Sequence, residues 1–405
     1  MGNDVRGAGA GRHPVNEIAA VGKDCEFMQI YVVREGDSLD SIAAAFAVSA
    51  EEIAYDNQIP EPYRLALGQA LLIPAEGEGQ QKRAVRVNGY AYPYIRDDVL
   101  SETLPYLTNI SVFSYGFTTG GDLIPPRVDD SRIISAAWSQ GTEPLLVLTP
   151  LDETGMFNNY LISEITHNME AQQHLIDQML LTMENKGYAG IDMDFEYILP
   201  QDRVPYADFV ANVRNQAAQK GYPVSVALAP KTSADQKGLL YEGKDYRLLG
   251  AAADSVLLMT YEWGYTYGPP MAVAPIHKVR EVVEYAVTEI PTEKIDLGIP
   301  NYGYDWTLPF VQGTSRARTV GNAEAVQLAV ENNAVIQFDE IAMSPFFRYE
   351  KDGVQHEVWF EDVRSMREKF GLITEYGLRG MGYWQVMKLF RANWLLLTDT
   401  FTVVK

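Results

Sequence analysis

The spacing of apolar and polar residues divides the chain into three parts. Residues 1–27 show no period, and we interpret them as a tail without an assigned function. Residues 28–76 are predicted to form a compact β-α-α-β module, with strands at 29–33 and 71–74 and two helices that begin after Ser38 and Ser49. A polar segment, residues 77–84, is predicted to link this module to the rest of the chain.

Strand-like apolar runs then alternate with helix-length segments from residue 85 to residue 400. This alternation is typical of a parallel sheet with helices between its strands. Eight runs in a region of this size predict an α/β fold, a (β/α)8 TIM barrel. The runs are residues 85–91, 109–115, 144–149, 190–196, 224–229, 255–261, 295–299 and 378–384.

The gap between the seventh and eighth runs is too long for one helix and its loops. We therefore predict a small α+β insertion at about residues 311–365. Within it, residues 323–331 have helical spacing, and residues 335–338, 346–349 and 356–360 have the pattern of strands. Lys351-Asp352-Gly353 lies between the last two strands and predicts a hairpin turn.

The fourth run, Gly190-Ile-Asp-Met-Asp-Phe-Glu196, places three carboxylates at alternate positions. Alternate side chains of a strand share a face, so Asp192, Asp194 and Glu196 are predicted to point into the barrel while the apolar residues between them face the helices. Barrel active sites form at the carboxyl ends of the strands. Crowded carboxylates share protons, which raises the pKa of at least one, and acid/base chemistry on a glycosidic bond requires such a group.

Charge and composition exclude several classes of ligand. The formal net charge of −21 and pI near 4.7 argue against nucleic acid, whose binding requires lysine and arginine opposite phosphates. The single cysteine and five histidines show no metal-binding spacing, so we predict neither metal nor cofactor. No apolar stretch is long enough to predict a membrane span, and the N-terminus lacks a secretory signal pattern. The 24 tyrosines and 6 tryptophans favour a neutral, sugar-like substrate.

Two segments resemble known families. YVVREGDSLDSIAAAFAVSAEEIAYDNQI followed by LALGQALLIP resembles a LysM module, which implies binding of glycans that contain N-acetylglucosamine. The fourth run resembles the D-G-x-D-x-D-x-E signature of family 18 glycoside hydrolases, with Ala189 at the position of the first aspartate. This second resemblance implies that Glu196 is the acid/base, that Asp194 orients the substrate's acetamido group, which is the nucleophile, and that Asp192 tunes Asp194.

Further site residues follow from the same resemblance. Met259-Thr-Tyr261-Glu262 is similar to the family's M-x-Y-D, which implies that the Tyr261 hydroxyl binds the acetamido carbonyl and that Glu262 replaces an aspartate. Trp384 matches the tryptophan that floors the reacting subsite. The polar and aromatic residues after the seventh run are predicted either to line the groove or to serve an ordinary loop. They include Asn301, Tyr304 and Asp305.

Residues 28–400 resemble a narrower group, the spore cortex-lytic N-acetylglucosaminidases, through MTYEWGY, PNYGYDWTLPF, IQFDE, SPFFRYE and VWFEDVRS. The resemblance implies hydrolysis of cortex peptidoglycan or its fragments during germination. It also implies synthesis in the mother cell without a secretion signal and a place in the spore coat or cortex; the alternative location is cytoplasmic. A chitinase and a non-catalytic glycan-binding coat protein are the alternative functions, and turnover of muropeptides against chitin oligomers separates the three.

Overall fold

The computed structural model describes residues 28–74 and 82–405. The predicted tail and most of the predicted linker lie outside these residues. The N-terminal module has the predicted β-α-α-β order. Its two strands pair antiparallel, and the hydroxyl oxygens of Ser38 and Ser49 accept backbone N–H groups at the starts of its helices. The elements are β1 (Gln29–Val32), α1 (Leu39–Phe46), α2 (Ala50–Asp56) and β2 (Ala70–Ile73).

The second region begins with seven strands that belong to a barrel and one short antiparallel strand, β5. In chain order they are β3 (Arg83–Ala91), β4 (Asn109–Phe117), β5 (Leu123–Ile124), β6 (Glu143–Leu148), β7 (Gly190–Met193), β8 (Val224–Leu228), β9 (Ser255–Leu258) and β10 (Ile295–Pro300). Helices lie between them: α3 (Asp97–Thr103), α4 (Ser131–Ser139), α5 (Tyr160–His167), α6 (Met169–Lys186), α7 (Arg203–Ala218), α8 (Tyr246–Ala252) and α9 (Ile276–Glu289).

An insertion and the last barrel unit complete the chain. The insertion contains β11 (Gly303–Thr307), β12 (Arg318–Val320), α10 (Asn322–Glu331), β13 (Gln337–Asp339), β14 (Ser344–Lys351) and β15 (Val354–Trp359). The chain ends with α11 (Val363–Glu375), β16 (Gly380–Trp384), α12 (Arg391–Thr400) and β17 (Phe401–Val403).

The parallel strands close into a barrel in the order β3-β4-β6-β7-β8-β9-β10-β16, with β16 returning to β3. The closed barrel confirms the predicted fold class. Apolar residues of β7 pack outward against the helices; Phe195, just beyond the strand, stacks on Phe117 and on Tyr206 of α7. The outward apolar packing leaves the alternate positions of the fourth strand to face the barrel interior.

Two barrel strands end three residues before the ends of the apolar runs that predict them. The fourth ends at Met193 rather than at Glu196, and the sixth ends at Leu258 rather than at Tyr261. The Asp194 N–H still donates to the Leu148 carbonyl at 2.9 Å. On this side the ladder stops because β6 itself ends at Leu148, whereas β8 on the other side continues to Leu228 without pairing beyond Met193. Asp194, Glu196 and Tyr261 therefore stand on loops at the barrel mouth.

The insertion begins earlier than the expected residue 311, because β11 already belongs to its five-stranded antiparallel sheet. In that sheet β11 pairs with β12 and with β15. The far end also differs, since α11 packs with the barrel helices. At the C-terminus β17 pairs with residues 83–85, so the barrel region extends beyond residue 400 and includes Arg83 and Ala84 of the expected linker.

The N-terminal module is docked on the barrel and on the insertion. The Ile336 N–H donates to the Leu67 carbonyl at 2.9 Å, and Ala66 is buried in the apolar core of the insertion. On the barrel side, the Arg391 guanidinium lies 3.8 Å from the ring centroid of Tyr55 and donates to the Tyr55 carbonyl at 2.6 Å. The module therefore has a fixed orientation relative to the barrel.

Gly68 is the tightest point of this interface. Its φ is +81°, and a Cβ there would lie 1.9 Å from the Ile336 carbonyl oxygen. Gly68→Ala is expected to destabilise the protein by about 1–3 kcal/mol beyond the backbone cost of a positive φ. Gly36→Ala is the matched control, since Gly36 has φ +86° with nothing within 4 Å of its Cβ position. Thermal unfolding of both variants measures the difference, and equal losses would show that the docking contact is not stabilising.

Candidate active site

A cavity of about 660 Å³ opens at the carboxyl ends of the barrel strands. Six of the predicted site residues line it: Asp194, Glu196, Met259, Tyr261, Glu262 and Trp384. The remaining wall is largely aromatic, and several of its members stand on the loops that follow β3, β6, β8 and β9. They include Tyr92, Phe157, Tyr241, Trp263 and Tyr265.

Asp192 lies beneath the cavity rather than in its wall. It is 1% exposed, and its two carboxylate oxygens accept hydrogen bonds from the Tyr90 hydroxyl and the Ser225 hydroxyl, each at 2.6 Å. Burial raises the pKa of Asp192, while the two hydroxyl donors and the charge of Lys244 oppose that rise. Asp192 is therefore a fixed, fully hydrogen-bonded group behind its neighbour.

Asp194 has a different environment. It is 5% exposed, and among the described residues nothing donates a hydrogen bond to its buried Oδ1. Burial, followed by the negative charge of Glu196, raises the pKa of Asp194 well above its usual range. A buried acceptor without a partner is costly, so this oxygen is available to a polar group of a ligand in the cavity.

Glu196 follows on the same chain segment and reaches the cavity. Burial raises the pKa of its carboxyl group; Lys244 opposes the rise and Glu262 adds to it. A carboxyl group whose pKa is raised and that contacts the cavity can serve as a general acid.

Trp384, at the end of β16, forms an aromatic floor. The rings of three neighbours pack edge-on against its indole ring. They belong to Phe113, Tyr90 and Tyr92, whose ring centroids lie 5.0, 5.6 and 6.3 Å from that of Trp384. Edge-on neighbours fix the plane of the indole and leave it partly exposed. A flat, partly exposed ring at this depth fits the apolar face of a sugar.

Glu262 is held by the insertion. Its Oε1 accepts hydrogen bonds from the hydroxyls of Tyr302 and Tyr304, the latter at 2.8 Å. Its φ is +70°, a left-handed conformation that is uncommon for a residue other than glycine and occurs where the surroundings enforce it. The insertion thereby positions the loop that carries Tyr261 and Trp263.

The structure does not bring all the predicted residues to the cavity. Tyr304 is connected to the cavity through its hydrogen bond to Glu262, which lines the cavity. Asn301 is buried and donates to the carbonyls of Gln385 and Lys388, which supports the segment after β16. Asp305 lies inside the insertion, where it accepts from Tyr349 and contacts His356, each at 2.9 Å. Neither Asn301 nor Asp305 lines the cavity, because Asn301 is held against the segment after β16 and β11 carries Asp305 into the insertion.

Sequence reasoning missed several residues of the site. Tyr92 follows β3, and Trp263 and Tyr265 follow Glu262 in the same loop. The rule that barrel sites form after strand ends is the signal that could have found all three. Lys244, fully buried near the carboxylates, carries no comparable signal because a lone lysine in a loop is common.

Within the two described ranges, no group of three or more His, Cys, Asp or Glu residues is arranged to hold a metal ion. Across the same part of the chain, no helix is both long and apolar enough to cross a bilayer.

Together, the raised carboxyl pKa values, the unpartnered Asp194 oxygen and the aromatic floor define the class: the protein is a glycoside hydrolase. Comparison with known proteins identifies its family. The chain belongs to the glycosyl hydrolases family 18, whose model matches residues 155–388, and the LysM domain model matches residues 31–74. Both matches imply that the protein binds a glycan.

Individual relatives cover nearly the whole chain. The cortical fragment-lytic enzyme of Bacillus subtilis (strain 168) is 39% identical over 93% of this chain and 99% of its own length. The crystal structure of the Bacillus cereus spore cortex-lytic enzyme SleL is 34% identical with a TM-score of 0.90, covering 94% of this chain and 99% of that one. A Chromobacterium violaceum chitinase, 24% identical with a TM-score of 0.71 over 78% of this chain and 98% of its own, shares the fold.

Proposed function

We propose that this protein hydrolyses N-acetylglucosaminyl bonds in spore cortex peptidoglycan or its fragments during germination. The observation that carries the proposal is the pairing of Asp194 and Glu196 in one aromatic-lined cavity. Relatives named as cortical fragment-lytic and spore cortex-lytic enzymes match over almost their full length, which favours this substrate over chitin.

The proposed mechanism is retaining and substrate-assisted. Glu196 protonates the oxygen of the leaving sugar as the substrate's acetamido oxygen attacks the anomeric carbon, which breaks the glycosidic bond and forms a cyclic intermediate. Glu196 then removes a proton from water, which attacks the same carbon, reopens the ring and restores the acetamido group. Asp194 stabilises the positive charge of the cyclic intermediate, the Tyr261 hydroxyl binds the acetamido oxygen and Trp384 supports the sugar.

A second cavity of about 330 Å³ adjoins the first, and both are lined by Tyr92, Phe113 and Phe157. Tyr94, which is exposed, stacks on Tyr92 with ring centroids 5.2 Å apart. This continuous aromatic surface supports a polymeric substrate. In the proposal, residues 28–76 hold the glycan as a LysM module, and the protein is made in the mother cell and resides in the spore coat or cortex.

The test is turnover of purified soluble cortex fragments beside chitin oligomers of matched length, with release of N-acetylglucosamine ends followed by mass spectrometry. We expect faster turnover of the cortex fragments, and a loss of roughly 10²–10⁴-fold or more in the Glu196→Gln variant. Faster turnover of chitin would identify a chitinase. Binding of both substrates without turnover would identify the non-catalytic glycan-binding protein.

A further inference from the structure

We propose that Lys244 is a positioning residue of the active site, a buried cation whose charge favours the ionised forms of the carboxylates around Asp194. This inference rests on the proposed function, because it assigns a role in the same catalytic site. It concerns a residue in the loop between β8 and α8, distant in sequence from both Glu196 and Tyr261.

The first observation is the burial of the ammonium group at the cavity wall. Lys244 is 0% exposed, and its Nζ donates to the Ala227 carbonyl at 2.8 Å. Ala227 is in β8, the barrel strand beside β7, and lines the cavity. The positive charge is therefore inside the barrel mouth and not in solvent.

The second observation is the packing of the lysine's own segment against the carboxylate segment. A Cβ on Gly243 would lie 2.0 Å from the carbonyl oxygen of Ile198, two residues after Glu196. The Lys231 Nζ, itself part of a buried side chain, donates to the Lys244 carbonyl at 2.8 Å. These contacts hold the backbone of Lys244 close to the chain that carries Glu196.

The third observation is that, among the described residues, the ammonium group forms its hydrogen bond with the Ala227 carbonyl and no salt bridge with a carboxylate. A buried cation bound only to a carbonyl is costly unless nearby negative charge compensates it. Burial lowers the pKa of Lys244 to about 8, and the charges of Asp194, Glu196 and Asp192 oppose that shift. The cluster therefore holds its cation through a shared field rather than through one salt bridge.

The groups that face this charge come from several strands. Asp192 lies in β7, and Asp194 and Glu196 follow that strand. Glu262 follows β9, and its charge acts on Glu196. Tyr90 is hydrogen-bonded to Asp192. A cation among these groups favours their ionised forms, so it lowers the carboxyl pKa values against the rise caused by burial. Removing it should shift every carboxyl titration in the site to higher pH.

The experiment compares the pH profiles of kcat/KM for the wild type, Lys244→Met, Lys244→Arg and Lys231→Met. An aryl chitobioside is the substrate, because it reports turnover whether or not cortex is the natural polymer. Lys244→Met is expected to move the acidic limb up by about one pH unit or more and to lower kcat/KM about tenfold below that limb. Lys244→Arg keeps the charge and should leave the limb near its wild-type position.

Lys231→Met is the matched control, since it removes the hydrogen bond to the Lys244 carbonyl but keeps the Lys244 charge; any loss of activity that it causes should be equal at all pH values, with the acidic limb unmoved. An equal loss in Lys244→Met at all pH values, with the limb unmoved, would overturn the inference and make Lys244 a packing residue. If Lys244→Met does not fold, a displaced acidic limb in Lys244→Arg overturns it. If the wild type hydrolyses the aryl chitobioside but not cortex fragments, only the proposed substrate is contradicted.

Discussion

Glu196→Gln is expected to lower kcat on soluble cortex fragments by roughly 10²–10⁴-fold or more, while the glycan still binds. Glutamine keeps the size and hydrogen-bonding capacity of the side chain but cannot deliver a proton to the leaving oxygen. The half-buried position of Glu196 and its raised pKa are what make that proton available in the wild type. Steady-state kinetics measure the loss, and isothermal titration with the same fragments measures binding.

A comparison of substrates with different leaving groups makes this test specific for the general acid. An aryl glycoside with an acidic phenol needs little protonation, so Glu196→Gln should lose less in bond cleavage with that substrate than with cortex fragments. Glu340→Gln, an exposed carboxylate in the insertion, is the matched control and should behave as wild type. Near-normal turnover of cortex fragments by Glu196→Gln would exclude Glu196 as the acid.

Asp194→Asn is expected to reduce turnover by about 10²–10³-fold, the size of effect seen when one preorganised polar group is removed from a transition state. The neutral amide cannot stabilise the positive charge on the cyclised acetamido group. A thiazoline mimic of that intermediate should inhibit the wild type and bind the variant much more weakly, because it resembles the state that the site binds most tightly. Inhibition constants for the two proteins check this.

The same substitution should not weaken the free protein. Asp194 is buried, its Oδ1 has no donor among the described residues, and Glu196 repels its charge. Replacing it with a neutral side chain of the same shape removes these costs but also removes the attraction between Asp194 and Lys244, so the thermal midpoint should change little. A fall in the midpoint that matches the lost activity would indicate a structural role. A covalent sugar adduct on Asp192 or Asp194 would instead indicate a carboxylate nucleophile.

The local sequence predicted much of this protein's fold and part of its candidate active site. Eight apolar runs predicted the barrel, and the alternation of Asp192, Asp194 and Glu196 predicted which face of the fourth strand carries the chemistry. Both are properties of short segments, since strand periodicity repeats every two residues and needs no knowledge of distant neighbours. The serine caps of the N-terminal helices are local in the same sense. The ends of the strands were less predictable, because a strand ends where its hydrogen bonds to the neighbouring strands end.

Long-range contacts decided the remainder. Asn301 and Asp305 have the composition of groove residues, yet pairing of β11 with β15 turns Asp305 into the insertion. Lys244 lies near the carboxylates because its ammonium group is bound to β8, which lies beside β7 in the closed barrel. The sequence by itself determined the strands, the module and the acidic face. Only the tertiary structure determined which loops meet at the barrel mouth and how the N-terminal module docks. Those contacts join segments that are distant in sequence, and the local pattern of one segment does not predict its contacts with another.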